Sequence, residues 1–412
     1  MSHPRRPNLS PARTYVVLQG AWAFLWALAF TLSLVFQVDV VGLTPFQLII
    51  IGTVLEATCF LAEVPTGVVA DLRSRKWSVI IGLVTMGAGI AAMAIPQFWA
   101  ILAAQVVWGI GYTFVSGAAE AWVTDEVGDR RVQPVFTRAH QVSLAMTVLG
   151  ILCAGLLGQA GLVWPILTGG AGFVLLGVAM TVLMREESFT PHPRGDRDTW
   201  GHLWATTRGG LSAATRHRVI RTFLIVGLLA GLTSEVLDRL WVDRIINDIG
   251  LPSLGGADDA ATWFTLFALA SSLIGLASSV LANRTVPAAL NAEHPSRVMA
   301  TLAMVQVAGV TAFALSGSLG PALAGKWTRD AAQSVSWPVA RAWLNRNITT
   351  SSTRATTLSM MGQADAVGQV VGGPALGMVA NRAGVQTALL LAAAIQAPAA
   401  ILYARLRRRP AT

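Results

Sequence analysis

Residues 63–77 read EVPTGVVADLRSRKW. The stretch ends one long apolar run and opens another, SVIIGLVTMGAGIAAMAI at 78–95. Two acids, a proline, a glycine and a tight Arg/Lys cluster therefore occupy the turn between two hydrophobic segments. Read as an anchor, these charges hold a membrane loop at the water interface. Read as machinery, they belong to parts that move.

The rest of the chain places this turn among membrane segments. Of 412 residues, 54% are hydrophobic and 12% charged, whereas a soluble domain carries about 25% charged residues. The apolar runs are each roughly 18–25 residues, long enough to span a bilayer as helix. Helix is the default in lipid because backbone groups must be satisfied within the segment, and barrel strands would alternate apolar with polar. The N-terminal MSHPRRPNLSPART is polar and basic, without the cleavage pattern of a signal peptide, so the first span is expected to be retained. Cys59 and Cys153 both fall in apolar runs, where packing is expected rather than a disulfide or a metal. The six histidines lie in the tail, in loops or at span ends, and neither HExxH nor GxxxxGK[ST] occurs. No metal, no cofactor and no nucleotide-driven pumping are expected.

Apolar runs between polar breaks predict twelve spans, near 14–37, 45–70, 77–95, 98–125, 137–159, 163–184, 219–245, 261–283, 297–317, 319–345, 355–380 and 384–404. KWTRD (326–330) interrupts the tenth, so those charges belong either to that span or to an outer loop. With both termini cytoplasmic, basic residues collect in the alternate loops, and only Arg239, Arg244, Lys326, Arg329 and Arg382 fall elsewhere. The net charge of +9 thus reads as insertion topology and contact with anionic lipid, and no nucleic acid is expected. The richness in arginine (Lys76 and Lys326 are the only lysines) reads as bacterial, with the inner (plasma) membrane as the location.

The longest break, 185–218, divides the chain into residues 1–184 and 219–412, a six-helix bundle each, joined by a cytoplasmic linker. Trp200 and Trp204 with their basic neighbours suggest that part of the linker lies along the membrane surface. Around the fourth and fifth spans the chain reads AEAWVTDEVGDRRVQPVFTRAHQVSL, and around the tenth and eleventh ARAWLNRNITTSSTRATTLSM. This ordered likeness is the expected mark of a parallel-repeat transporter.

GVVADLRSRK (67–76), lying between the second and third of twelve spans, resembles the signature loop of the major facilitator superfamily. Glu63-Val-Pro-Thr-Gly, SGAAEAW (116–122) and RATTLSM (354–360) look like its drug-efflux branch. The resemblance implies an all-α integral membrane protein whose two pseudo-symmetric bundles alternate access to a central cavity, usually driven by a proton gradient. It also implies a latch in which Gly67, Asp71, Arg75 and Lys76 engage the end of the fourth span. Departures are Ser74 for the loop's second glycine, Gln105 where the efflux branch has arginine, and Gly150, Gly155 and Gly158 without the proline of the antiporter pattern. A similar string, VGQVVGGPALG, sits at 367–377.

A charge near a helix centre costs about 2.5–3.5 kcal/mol on insertion scales, so each needs a reason. Glu56 and Glu63 are seven apart on one face of the second span, as proton or cation sites or as structural acids. Glu120 and Asp125 end the fourth span, and Arg341 and Arg346 take the equivalent place in the tenth. Those opposite signs suggest a gate between the halves, against the alternative that Asp125 pairs with Arg75. Glu235, Asp238 and Arg239 lie one turn apart in the seventh span, with Glu235 and Arg239 an i,i+4 pair. Entered near Arg221, Glu235 is roughly 20 Å deep. Asp365 is the lone acid of the eleventh span, and Gln105, Trp108 and Trp337 are cavity-lining candidates.

The expectation is a secondary transporter, not an enzyme, exporting a small amphipathic or cationic molecule against protons and working as a monomer. Uptake of a nutrient by proton symport is the nearest rival, and a non-transporting receptor on the same fold is the other class. No intramembrane histidine or nucleophile–base pair points to an enzyme.

Overall fold

The computed structural model describes residues 9–190, 201, 218–255, 259–291, 295–347 and 351–406, and the described residues contain no strand. The expected interfacial segment around Trp200 and Trp204 lies outside them. In chain order the helices are α1 Pro11–Val40, α2 Pro45–Leu72, α3 Arg75–Ala92, α4 Phe98–Val127, α5 Asp129–Gly158 and α6 Val163–Leu183. Then follow α7 Arg218–Ile249, α8 Asp259–Asn291, α9 Pro295–Leu315, α10 Leu319–Asn347, α11 Ser351–Ala383 and α12 Val385–Ala404. Nine of these are long and apolar enough to cross a membrane. The others are α3, which opens on Arg75 and Lys76, and the polar α10 and α11.

KWTRD lies inside α10, so Lys326, Arg329 and Asp330 are helical rather than part of a loop. Proline does not end these helices either: α2 continues through Pro65, α10 through Pro338 and α11 through Pro374. A proline is a natural place for a break in the helix, yet the turn at Pro65 is intact. Beside it, Thr66 returns its hydroxyl to the carbonyls of Ala62 and Glu63 at 2.8 and 3.2 Å, the kind of local adjustment by which membrane helices tolerate proline.

Contacts group the chain into two units. The first is Met1–Gly42, Ala57–Trp200 and Leu254–Leu266; the second is Leu43–Glu56, Gly201–Ser253 and Phe267–Thr412. The start of α2 therefore packs within the second unit and the start of α8 within the first. In the first unit α1 packs on α5, and α3 on α4 and α6. Six helices further on the same pairings recur: α7 on α11, and α9 on α10 and α12. This is the pseudo-symmetry that the repeated sequence segments foreshadow.

Aromatic packing fills the first unit, where Trp26 meets Phe30 at 4.4 Å and Trp108 at 5.8 Å between ring centroids. In the second unit Phe223 packs edge-on against Trp343 and Tyr403 at 5.5 and 5.6 Å. Lipid supplies no hydrophobic drive between helices, so such packing and close backbone approach carry the association. The α7–α11 seam shows it: a Cβ on Gly231 would fall 2.0 Å from the Asp365 carbonyl oxygen, and Gly372 meets the Leu232 carbonyl similarly.

Candidate functional site

Five of the six acids and bases proposed for coupling converge in the second unit. Glu235 is 7% exposed and accepts from Arg239 Nε at 2.6 Å. The pair sits on α2 at Gly52, where a Cβ would fall 1.6 Å from Glu235 Oε2 and 2.0 Å from Arg239 Nε. One turn along α2, Glu56 lies within electrostatic reach of Glu235, Arg239 and Asp365. One turn along α7 from Glu235, Asp238 pairs with Arg329 of α10 at 3.2 Å. Arg329 also binds Asp330 at 3.0 Å, and Asp330 binds Lys326 at 2.6 Å. Lys326 in turn lies 4.5 Å from the Trp241 ring centroid. Glu63 stands apart: it is exposed and belongs to the portion of α2 grouped with the first unit.

Beside this cluster the second unit holds a cavity of about 380 Å³, walled by α7, α9, α10, α11 and α12. Asp238, Asp365, Arg329 and Trp337 reach it, as do four glutamines, Gln306, Gln333, Gln369 and Gln396. Arg329, Gln333 and Ser336 of α10 and Asp365 and Gln369 of α11 give this space its polar lining on two sides. A volume of this size lies within the range of small-molecule sites, in which a few placed polar groups orient a ligand.

The first unit holds the loop of the opening motif. Arg75 pairs with Asp125 of α4, and its Nε lies 3.7 Å from Asp71. The pairing recorded for Asp125 is thus the one inside its own unit. Ser74 caps α3 by accepting from Trp77 N at 3.1 Å and donates to Glu186 at 2.5 Å. Glu186 also accepts the Lys76 backbone N–H at 2.9 Å, and Lys76 Nζ donates to the Thr181 carbonyl at 2.9 Å. A carboxylate facing the exposed N–H groups of a helix start is favourably placed. A Cβ at Gly67 would meet open space. Glu120 is exposed. Arg341 lies 5.3 Å from the Trp337 ring centroid, and the side chain of Arg346 lies outside the described residues. Gln105 and Trp108, expected to line a cavity, form a buried pair in the aromatic core, with Trp108 Nε1 donating to Gln105 Oε1 at 2.9 Å.

Five contributing residues escaped the sequence reading. Gly52 had a signal, since glycine inside a helix costs about 1 kcal/mol against alanine and needs a packing reason. The amides of Gln306 and Gln396 had one as well, being polar groups in otherwise apolar runs, whereas Gln333 is one polar residue among several in α10. Glu186 had none, because only the fold brings the end of α6 to the start of α3.

Helices paired in two like sets, with buried acids beside a polar cavity, define a membrane transporter. The model of the Major Facilitator Superfamily matches residues 15–328, and the chain belongs to that family. It is 22% identical over 362 residues to YxaM of Bacillus subtilis (strain 168), described as an uncharacterized MFS-type transporter, covering 87% of this chain and 86% of that one. In structure it resembles a point mutant of the nucleoside transporter NupG, with a TM-score of 0.76, 16% identity and coverage of 97% of this chain and 100% of that one. It also resembles a bacterial homologue of the human lysosomal transporter Spinster in an inward-facing, unoccupied form. There the TM-score is 0.70, the identity 14%, and the coverage 99% of this chain and 100% of that one. At such identities the likeness speaks for the fold alone.

Proposed function

We propose that the protein is a proton-coupled exporter of a small cationic or amphipathic molecule, working by alternating access between two six-helix bundles. The observation that carries this reading is the cluster of Glu56, Glu235, Arg239 and Asp365 directly beside the cavity that Asp238 and Asp365 line. A carboxylate able to exchange a proton next to a space able to take a cation makes the two competitors for one region of negative charge, which is the basis of antiport. Twelve spans, cytoplasmic termini, an inner-membrane location and a monomeric unit in contact with anionic lipid complete the proposal. In it the Asp71–Arg75–Asp125 network latches the conformation closed toward the cytoplasm, and Glu120, Arg341 and Arg346 act in the same latch.

Symport is the second reading, and the amide-rich lining favours it, because glutamines also suit a neutral polyhydroxylated nutrient. The test is purified protein in liposomes with an imposed pH gradient and a panel of lipophilic cations, amines and antibiotics. Antiport predicts that added substrate drives protons the opposite way to itself, and symport the same way. Proton flux indifferent to Glu56→Gln, Glu235→Gln and Asp365→Asn would sink the coupling assignment.

A further inference from the structure

The hydrogen-bonding capacity of the cavity in the second unit is lopsided, and the imbalance names a ligand class. Resting on the reading that this cavity takes a cationic substrate, we propose that it selects donor-rich cations over fully alkylated cations of the same charge. The favoured head groups are primary ammonium, amidinium and guanidinium.

The argument turns on which way three amides face. Ser336 Oγ spends its one hydrogen on the Ala332 carbonyl at 2.8 Å, so it can only accept from Gln306, whose Nε2 stands 2.8 Å away. Thr233 Oγ1 likewise directs its hydrogen to the carbonyls of Leu229 and Ala230 at 3.2 and 3.1 Å. It therefore accepts from Gln396 Nε2 at 2.6 Å. The Asp365 carboxylate can only accept, here from Gln369 Nε2 at 2.8 Å. At Asp365 the partner's chemistry alone dictates that nitrogen faces protein, and at Ser336 and Thr233 the same orientation follows from each hydroxyl bonding its own helix carbonyl. Each glutamine keeps its carbonyl oxygen, with two lone pairs, against a single remaining amide hydrogen.

The carboxylates of Asp238 and Asp365 add further acceptors to the lining. Against them stands Arg329, whose Nη1 is shared between Asp238 at 3.2 Å and Asp330 at 3.0 Å. Two carboxylates and one guanidinium leave the lining with a formal surplus of negative charge and of acceptors. Ser234 turns its hydroxyl to the Gly231 carbonyl at 3.1 Å and so adds no donor to the space. A cation bearing several N–H groups satisfies both surpluses at once. A quaternary ammonium matches the charge alone and leaves amide oxygens facing methyl groups, which is the costly case for a buried acceptor. Trp337 and Phe223 flank the space and suit an aromatic or apolar remainder of the ligand.

Calorimetric titration of the full-length protein in detergent decides this, with phenethylammonium, its N,N,N-trimethyl analogue and 2-phenylethanol as probes. The ammonium is expected to bind at least about tenfold tighter than the trimethyl analogue, since a site built to hydrogen-bond a group rejects the analogue lacking it. Asp365→Asn is expected to weaken both cations, and Gln306→Met to weaken the ammonium alone, shrinking their ratio. If either variant loses the wild-type melting profile, the wild-type ratio remains the test. Equal or tighter binding of the trimethyl analogue overturns the proposal, as does the absence of binding by all three probes. The liposome assay separates the two claims. Ammonium preference without proton flux leaves the ligand class standing and removes the coupling; flux with a preference for quaternary cations does the reverse.

Discussion

At Gly52 a missing side chain is as informative as the charges around it. Glu235 and Arg239 are both largely buried, and taking one charge from such a pair strands the other. Arg239→Gln is therefore expected to destabilise the protein by about 3 kcal/mol, within the usual range for breaking a buried pair. The double variant Glu235→Gln/Arg239→Gln is expected to recover much of that loss, because it removes the stranded charge. Thermal melting in detergent checks both, and a double variant less stable than Arg239→Gln would show that the pair is not a unit. Gly52→Ala should act through the same contact: its Cβ forces both charged ends to move, so it should abolish coupled flux while Gly67→Ala, which meets open space, leaves folding intact. The sequence made the i,i+4 pair readable from spacing. It could not make Gly52 readable as its seat, because that contact joins α2 to α7.

The elements show the same division between what is local and what is not. Helix α3 starts where the opening motif departs from its family's pattern, and Ser74 has a physical account. It is the N-cap of α3 and a donor to Glu186. Ser74→Ala is expected to cost about 1 kcal/mol, and Ser74→Gly less, since glycine tolerates the N-cap position. Equal melting temperatures for Ser74→Ala and the wild type would remove the cap from the account. In the second unit, Gly231 lets α7 lie against the α11 backbone, so Gly231→Val is expected to destabilise by about 1–3 kcal/mol or more through overpacking. Helix positions were legible from hydropathy alone, α10 least so. Its charges look like an interruption when lipid is assumed on every side, and they fit a continuous helix once Asp238 and Asp330 are seen to neutralise Arg329 and Lys326.

For the whole molecule, arginine distribution carries more than any single contact. If the loop after α6 and both termini are cytoplasmic, position 190 faces inside and position 161, between α5 and α6, faces outside. Cys59 and Cys153 are both unbridged, so replacing them with alanine gives a background free of thiols. In that background, Thr190→Cys is expected to react with a membrane-impermeant maleimide only after cells are opened, and Gly161→Cys in intact cells. The reverse pattern would invert the orientation and, with it, the direction in which the cavity loads. This matters for the opening stretch. With 73–76 on the inside, the proposed latch role of the Arg75–Asp125 pair predicts that weakening it by Asp125→Asn speeds opening toward the cytoplasm. Faster labelling of a cysteine at position 67 in the Asp125→Asn background would support that role, while unchanged labelling would reduce the network to an anchor.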